Sequence, residues 1–251
     1  MGFAMKFDFR VFLGESFDGK KMEAGALLRS MDSNEIEMAL ACPFKPLSYN
    51  LIGANKDLSA LIAPHQDRLV GAARIDPWQA NAVNTLHYGV EALGLRAVYL
   101  NPWEENFQAN AKILDPVMAA AESCNVPVIL AAGYPWVSEA LQILDLSLRW
   151  PKVNIVMTNG GQINISGLGQ ANAMLALVQS PNLFIDTAGI YRQDFIDETV
   201  VDIGGERVLF GSGMPYFDQQ YELMRIKVAD VSDDAREKML WKNAQRLLSI
   251  K

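Results

Sequence analysis

Short apolar runs, separated by turns and by segments of helical period, recur along the whole chain. Eight runs have strand length: Lys6–Leu13, Glu35–Pro43, Leu69–Asp76, Ala97–Asn101, Val126–Ala132, Asn154–Thr158, Leu183–Thr187 and Val208–Ser212. Most are nearly continuous in apolar residues rather than alternating, which suits parallel strands covered on both faces. Between them, Trp78–Leu93 carries Val83, Leu86, Val90 and Leu93 at helical spacing, and Val137–Leu148 carries Ala140, Leu141, Leu144 and Leu148. Asp194–Ile203 and Asp233–Leu248 complete the set, with Ser232 placed to cap the last helix. Strand–helix alternation of this kind predicts an α/β chain, a single-domain (β/α)8 TIM barrel spanning 1–251. A doubly wound sheet is the competing architecture. No Pro-, Gly- or Ser-rich linker divides the chain. The stretch GGQINISGLGQ (160–170) is the expected mobile loop; GLGQAN at its end lacks the preceding strand turn that a dinucleotide fingerprint needs.

Composition narrows the partners. Half of the 251 residues are hydrophobic and 20% are charged, which excludes wholesale disorder. Twenty-nine acidic residues against 22 basic ones give a net charge of −7, so neither nucleic acid nor an anionic membrane is an expected partner. The most apolar stretches, such as Val126–Ala132, are too short to span a bilayer. The opening MGFAMKFDFR has no charged segment followed by an apolar one, and Lys6 stands where a myristoylation signal has Ser or Thr. Cys42 and Cys124 cannot build a disulfide framework, so a cytoplasmic location is expected. The only histidines are His65 and His87.

In a parallel barrel, chemistry gathers at the carboxyl ends of the strands. Strand one offers Asp8, Arg10 and Phe12, all of one parity and therefore on one face. Strand two ends at Cys42, and strand three brings Arg74 and Asp76. Strand four brings Tyr99 and Asn101, followed by Trp103, Glu104 and Glu105. The remaining four end AAGYPW, MTNGG, DTAG and GSGMPY.

These strand ends resemble the amidohydrolase superfamily, and more narrowly its amidohydrolase-2 group of metal-dependent hydrolases and decarboxylases. LVGAARIDP, GLRAVYLNP, NVPVILAAG, PKVNIVMTNGG and SPNLFIDTAG are similar to that group's strands three to seven, and IGGERVLFGSGMPY with KNAQRLLSI to its closing segment. The resemblance implies a catalytic divalent metal held by an opening Asp-x-His-x-His, by histidines on strands five and six, and by an aspartate on strand eight. At the matching positions this chain has Asp8, Arg10 and Phe12, then Ala131, then Thr158 or its neighbour, then Gly213. Arginine is a permanent cation, phenylalanine and alanine carry no lone pair, and glycine has no side chain. A guanidinium 4 Å from another unit charge of like sign costs roughly 4 kcal/mol at an effective dielectric of 20, and a dication doubles that. His65, in a polar connection, and His87, on an outer helix, are expected to be structural or surface residues. The expectation is therefore no metal at the usual site and no cofactor.

Arg10 needs a carboxylate or anion beside it, and Asp8, Asp76 and Asp186 are the candidates. It either forms a structural ion pair or grips a carboxylate or enolate in place of the metal. Asp76 either caps the next helix, pairs with Arg74, or moves protons. Cys42 is either an inert buried thiol or a nucleophile without a histidine to activate it. Tyr99, Asn101, Tyr134, Thr158, Asn159, Asp186 and Tyr216 form an expected polar lining for a small ligand, with Trp103 and Trp136 as walls.

Three functions follow from this pattern. The first is a non-catalytic relative that binds a small molecule or serves as a partner subunit. The second is a metal-independent hydrolase, lactonase or decarboxylase, in which Arg10 holds a small carboxylated substrate and Asp8 or Asp76 moves protons. The third is an ordinary metal hydrolase with ligands elsewhere. Homodimerisation is what the resemblance suggests.

Overall fold

Eight parallel strands, with helices between them, curl into a barrel in the computed structural model, which describes residues 5–163 and 167–250. The strands are β1 (Phe7–Glu15), β3 (Met38–Pro43), β4 (Leu69–Arg74), β5 (Ala97–Leu100), β6 (Val128–Leu130), β7 (Ile155–Met157), β8 (Leu183–Asp186) and β9 (Val208–Leu209). A two-residue strand, β2 (Lys21–Met22), pairs antiparallel with the end of β1. The parallel strands lie in chain order, each beside its successor. Backbone hydrogen bonds close the circle: Phe9 donates to the Phe210 carbonyl (2.8 Å), Gly213 to that of Arg10 (2.7 Å) and Phe12 to that of Met214 (2.8 Å). That seam rules out the doubly wound alternative, whose edge strands never meet. Val11, Leu40, Ala72, Val98, Ile129, Val156 and Ile185 are all fully buried. Apolar side chains on consecutive strands fill the barrel and the layer under the helices, which is why the runs read as continuous.

The differences from the sequence reading have local causes. β1 runs two residues past Leu13 because it turns back through β2 as a hairpin, with Gly19 at φ +84° and its N–H on the Ser16 carbonyl (3.0 Å). β3 starts at Met38 rather than Glu35. Glu35 instead closes the helix Ala24–Asn34 in the left-handed region (φ 54°), its N–H returned to the Asp32 and Met31 carbonyls. Trp78–Leu93 becomes helical only at Ala82, then widens into a π turn over Tyr88–Ala92. A Cβ at Gly89 would stand 2.8 Å from the Ala73 Cβ, so the glycine lets this turn lie directly on β4. The closing segment is likewise helical over Asp233–Glu237 and Asn243–Leu247 with a π turn between them, and the Ser232 hydroxyl caps it by accepting from Ala235 N–H (3.2 Å). The helices Leu51–Ile62, Asp115–Cys124, Ala140–Arg149, Gly167–Gln179, Asp194–Ile203 and Gln219–Val228 complete the outer layer. Residues 164–166 of the glycine-rich loop lie outside those described. No described helix is long and apolar enough to cross a membrane.

Candidate functional site

The strand ends enclose a cavity of about 470 Å3 at the mouth of the barrel, within the size range of small-molecule sites. Arg10, on β1, stands at its inner end. Its guanidinium is fixed side-on by Asp186 at the end of β8: Nε donates to Oδ2 at 2.6 Å and Nη2 to Oδ1 at 3.2 Å. Nη2 also donates to Asn159 Oδ1 (3.2 Å). Asp186 Oδ1 further accepts from the backbone N–H groups of Asn159 (2.9 Å) and Ala188 (3.2 Å). Both carboxylate oxygens are thus engaged, and Asp186 is fully buried behind the arginine rather than on the cavity wall. Burial pulls the Arg10 pKa down, but the Asp186 charge and its hydrogen bonds outweigh it and hold the guanidinium charged. Of the three carboxylates the sequence offered Arg10, the partner is Asp186.

Nη1 is left over. It makes no hydrogen bond among the described residues, is not sealed from solvent, and lies 3.4 Å from where a Cβ at Gly213 would be. Its two N–H groups therefore remain as donors at a cavity that Arg10 itself lines.

Aromatic rings make much of the remaining wall. Phe12 stacks on Phe44 (centroids 5.3 Å apart) and meets Tyr99 and Tyr216 edge-on at 5.7 and 5.2 Å. Trp103 and Tyr134 stack at 5.5 Å with planes 15° apart. Asn101, Thr158 and Asn159 lie on the same wall, with Ala131 beside them. Thr158 is committed to structure, its hydroxyl accepting from Ala132 N–H (3.0 Å). Burial raises the phenols of Tyr99 and Tyr134, and pushes Tyr216 up to about 12. Burial also pushes the Cys42 thiol up to about 12, which keeps it protonated and unreactive.

A family model described as amidohydrolase matches residues 49–250. The chain belongs to that family. No curated protein sequence matches it. Its barrel is similar to that of 2,6-dihydroxybenzoate decarboxylase from Rhizobium (TM-score 0.79, 18% identity, 98% of this chain and 99% of that one). It is also similar to 5-carboxyvanillate decarboxylase from Sphingomonas paucimobilis (0.77, 13%, 98% and 99%). A third neighbour is a dihydroxybenzoic acid decarboxylase from Polaromonas sp. JS666, solved with bound manganese and 2-nitroresorcinol (0.77, 16%, 98% and 97%). At these identities the amidohydrolase fold is what is shared.

Three expected residues lie elsewhere. Asp8 is fully buried in the seam of the amidohydrolase barrel: Oδ1 accepts from Ser212 N–H (2.7 Å) and Arg10 N–H (3.3 Å), and Oδ2 from Gln219 Nε2 (2.8 Å). Burial raises its pKa to about 6 against the pull of those hydrogen bonds. Asp76, two residues beyond its strand, holds the following turn by accepting from Trp78 N–H (3.0 Å); it does not cap the next helix, which starts at Ala82 behind Asn81, does not pair with Arg74, and does not line the cavity. Trp136 does not line the cavity either; it has φ 65° and is 77% exposed. His65 and His87 are also absent from the wall.

Arg74 turns away from Asp76 to Glu105 (2.7 Å) and to Glu104. The reason is the turn after β5, where Asn101 Oδ1 accepts from Glu104 N–H (3.2 Å) and starts the short helix Pro102–Glu105. Lys45 joins from the other side, 4.0 Å from Glu105. Sequence reasoning missed Phe17 and Asp18 on the wall, which the β1–β2 hairpin carries there, and also Phe217. The only earlier signal was the turn-forming FDGK.

Proposed function

We propose that this amidohydrolase relative is a metal-independent binding protein for a small oxygenated aromatic molecule. The ligand's ring lies among the aromatic side chains of the mouth, and its oxygen accepts from Arg10 Nη1. The observation that carries the reading is the Arg10–Asp186 pair, which leaves the two Nη1 N–H groups without a partner among the described residues, on a side chain that lines an aromatic cavity. An amidohydrolase metal does not fit this donor set. Asp186 has both oxygens on the Arg10 guanidinium and on backbone N–H groups, and Asp8 has both on Ser212, Arg10 and Gln219. The neighbouring positions Phe12, Ala131 and Gly213 offer no ligand atom. A dication would also face the fixed guanidinium.

The titration of the wall supports binding over turnover. Its phenols are raised away from neutrality, as is the nearby Cys42 thiol; of its carboxylates, Asp18 is lowered to about 2 by its hydrogen bond from Lys20 and Glu104 is paired with Arg74, while Asp8, at about 6, is in the seam. General acid–base catalysis works best with a group whose pKa is near the working pH. A second reading, a metal-independent decarboxylase or lactonase acting on a small carboxylate held by Arg10, is favoured by the decarboxylases among the structural neighbours.

Calorimetric titration with hydroxylated benzoates and the corresponding phenols tests both. Binding is expected in chelator-treated protein. Arg10→Met is expected to weaken it by at least tenfold, about 1.4 kcal/mol. Arg10→Met with unchanged affinity overturns the site. Release of carbon dioxide without added metal moves the assignment to the second reading, and release only with manganese overturns metal independence altogether.

A further inference from the structure

On the outer layer, well away from the mouth, three potential metal ligands converge from two helices. His87 ends the helix Ala82–His87, Glu91 follows on the π turn, and Cys124 ends the helix Asp115–Cys124. His87 Nδ1 lies 3.0 Å from Glu91 Oε1 and 3.5 Å from Cys124 Sγ, and the three ligand atoms all lie within 4.8 Å of one another. The cysteine is a free, half-buried thiol, and the histidine and glutamate side chains are 38% and 68% exposed. Among the described residues this is the one group of three or more such side chains placed to share an ion.

We infer that His87, Glu91 and Cys124 form a surface site for a zinc-type divalent cation, with water as the fourth ligand. In a tetrahedral zinc site with ordinary bond lengths, neighbouring ligand atoms are about 3.3–3.6 Å apart. The nitrogen–sulfur separation already has that value, the nitrogen–oxygen separation is a few tenths of an ångström short of it, and the sulfur–oxygen separation, within 4.8 Å, is set by an exposed glutamate free to swing into place. The donor types suit the ion: imidazole, thiolate and carboxylate are all zinc ligands, and the two anionic groups neutralise its charge. On binding, the Cys124 thiol loses its proton to solvent and the sulfur lone pair forms the metal bond. The π turn, a local form found often at functional sites, starts directly after His87 and carries Glu91. The bound ion ties the helix Ala82–His87 and its π turn to the helix Asp115–Cys124, so the site stabilises the barrel from outside and is independent of the Arg10 cavity.

The test uses the full chain, reduced, stripped with chelator and titrated with Co2+. A thiolate-to-cobalt charge-transfer band is expected to saturate at one equivalent and to be displaced by Zn2+. Cys124→Ser is expected to abolish the band, while His87→Gln and Glu91→Gln each weaken Zn2+ by about tenfold or more. Zinc is expected to raise the melting temperature of the wild type and leave that of Cys124→Ser unmoved. No band in the wild type, or an undiminished band in Cys124→Ser, overturns the site.

Discussion

Arg10 was legible as a residue that needed an anion, because a guanidinium with inward parity cannot be left unpaired. Which aspartate answers it was not legible, since that depends on how β8 meets the β7 turn. There Asn159 takes a left-handed φ of 57° and delivers both its side chain and its N–H to the pair. Asp8 shows the same limit from the other side. Its parity was readable, but its place in the seam follows from the return of residues 212 and 219. That burial has a measurable consequence. The Asp8 pKa rises from 3.8 to about 6 on folding, so the native state binds this proton more tightly than the unfolded chain does. Its contribution is therefore most favourable below pH 3.8 and is lost as pH rises through about 6. A rise of about two units corresponds to roughly 3 kcal/mol. Denaturant unfolding of the wild type and Asp8→Asn is expected to show the difference moving toward the variant by about 2–3 kcal/mol between roughly pH 4 and pH 7. A constant difference across that window contradicts the burial argument.

Elements were readable wherever hydrophobic burial alone sets them, as in the apolar cores of the eight parallel strands. They were not readable where a single backbone or side-chain contact decides. Glu35 ends a helix instead of starting a strand, and the β1–β2 hairpin turns on Gly19 and a two-residue pairing too short to carry a pattern. The π turn over Tyr88–Ala92 was hidden because its apolar spacing passes for α-helix, yet there Gly89 lies directly on Ala73 of β4. Gly89→Ala would bring two Cβ atoms to 2.8 Å, and overpacking of this kind costs about 1–3 kcal/mol. Gly25→Ala, on the exposed side of the helix Ala24–Asn34, meets only Arg29 Nη1 at 3.5 Å, and is expected to be neutral or stabilising by about 0.4–1 kcal/mol. Urea midpoints for the two variants check this. Equal effects would remove the steric account of the π turn.

At the scale of the whole molecule, the net charge of −7 and the cavity chemistry act in opposite directions on an anionic ligand. Arg10 is electrically balanced by Asp186, while Asp18 and Glu104 add carboxylates to the wall, paired with Lys20 and Arg74. The cavity therefore offers donors without a net positive field. An aromatic carboxylate approaches a protein that repels it weakly at long range, whereas a phenol feels no such force. Salt screens the long-range part over about 10 Å at 0.1 M and leaves the buried hydrogen bonds nearly untouched. Raising salt from about 20 mM to about 300 mM is expected to strengthen carboxylate binding by roughly twofold and leave phenol binding unchanged. Calorimetry at the two salt concentrations reads this directly. Carboxylate affinity that instead falls steeply with salt would mean a net cationic mouth, and Arg10 would then be a free anion grip rather than one half of a neutral pair.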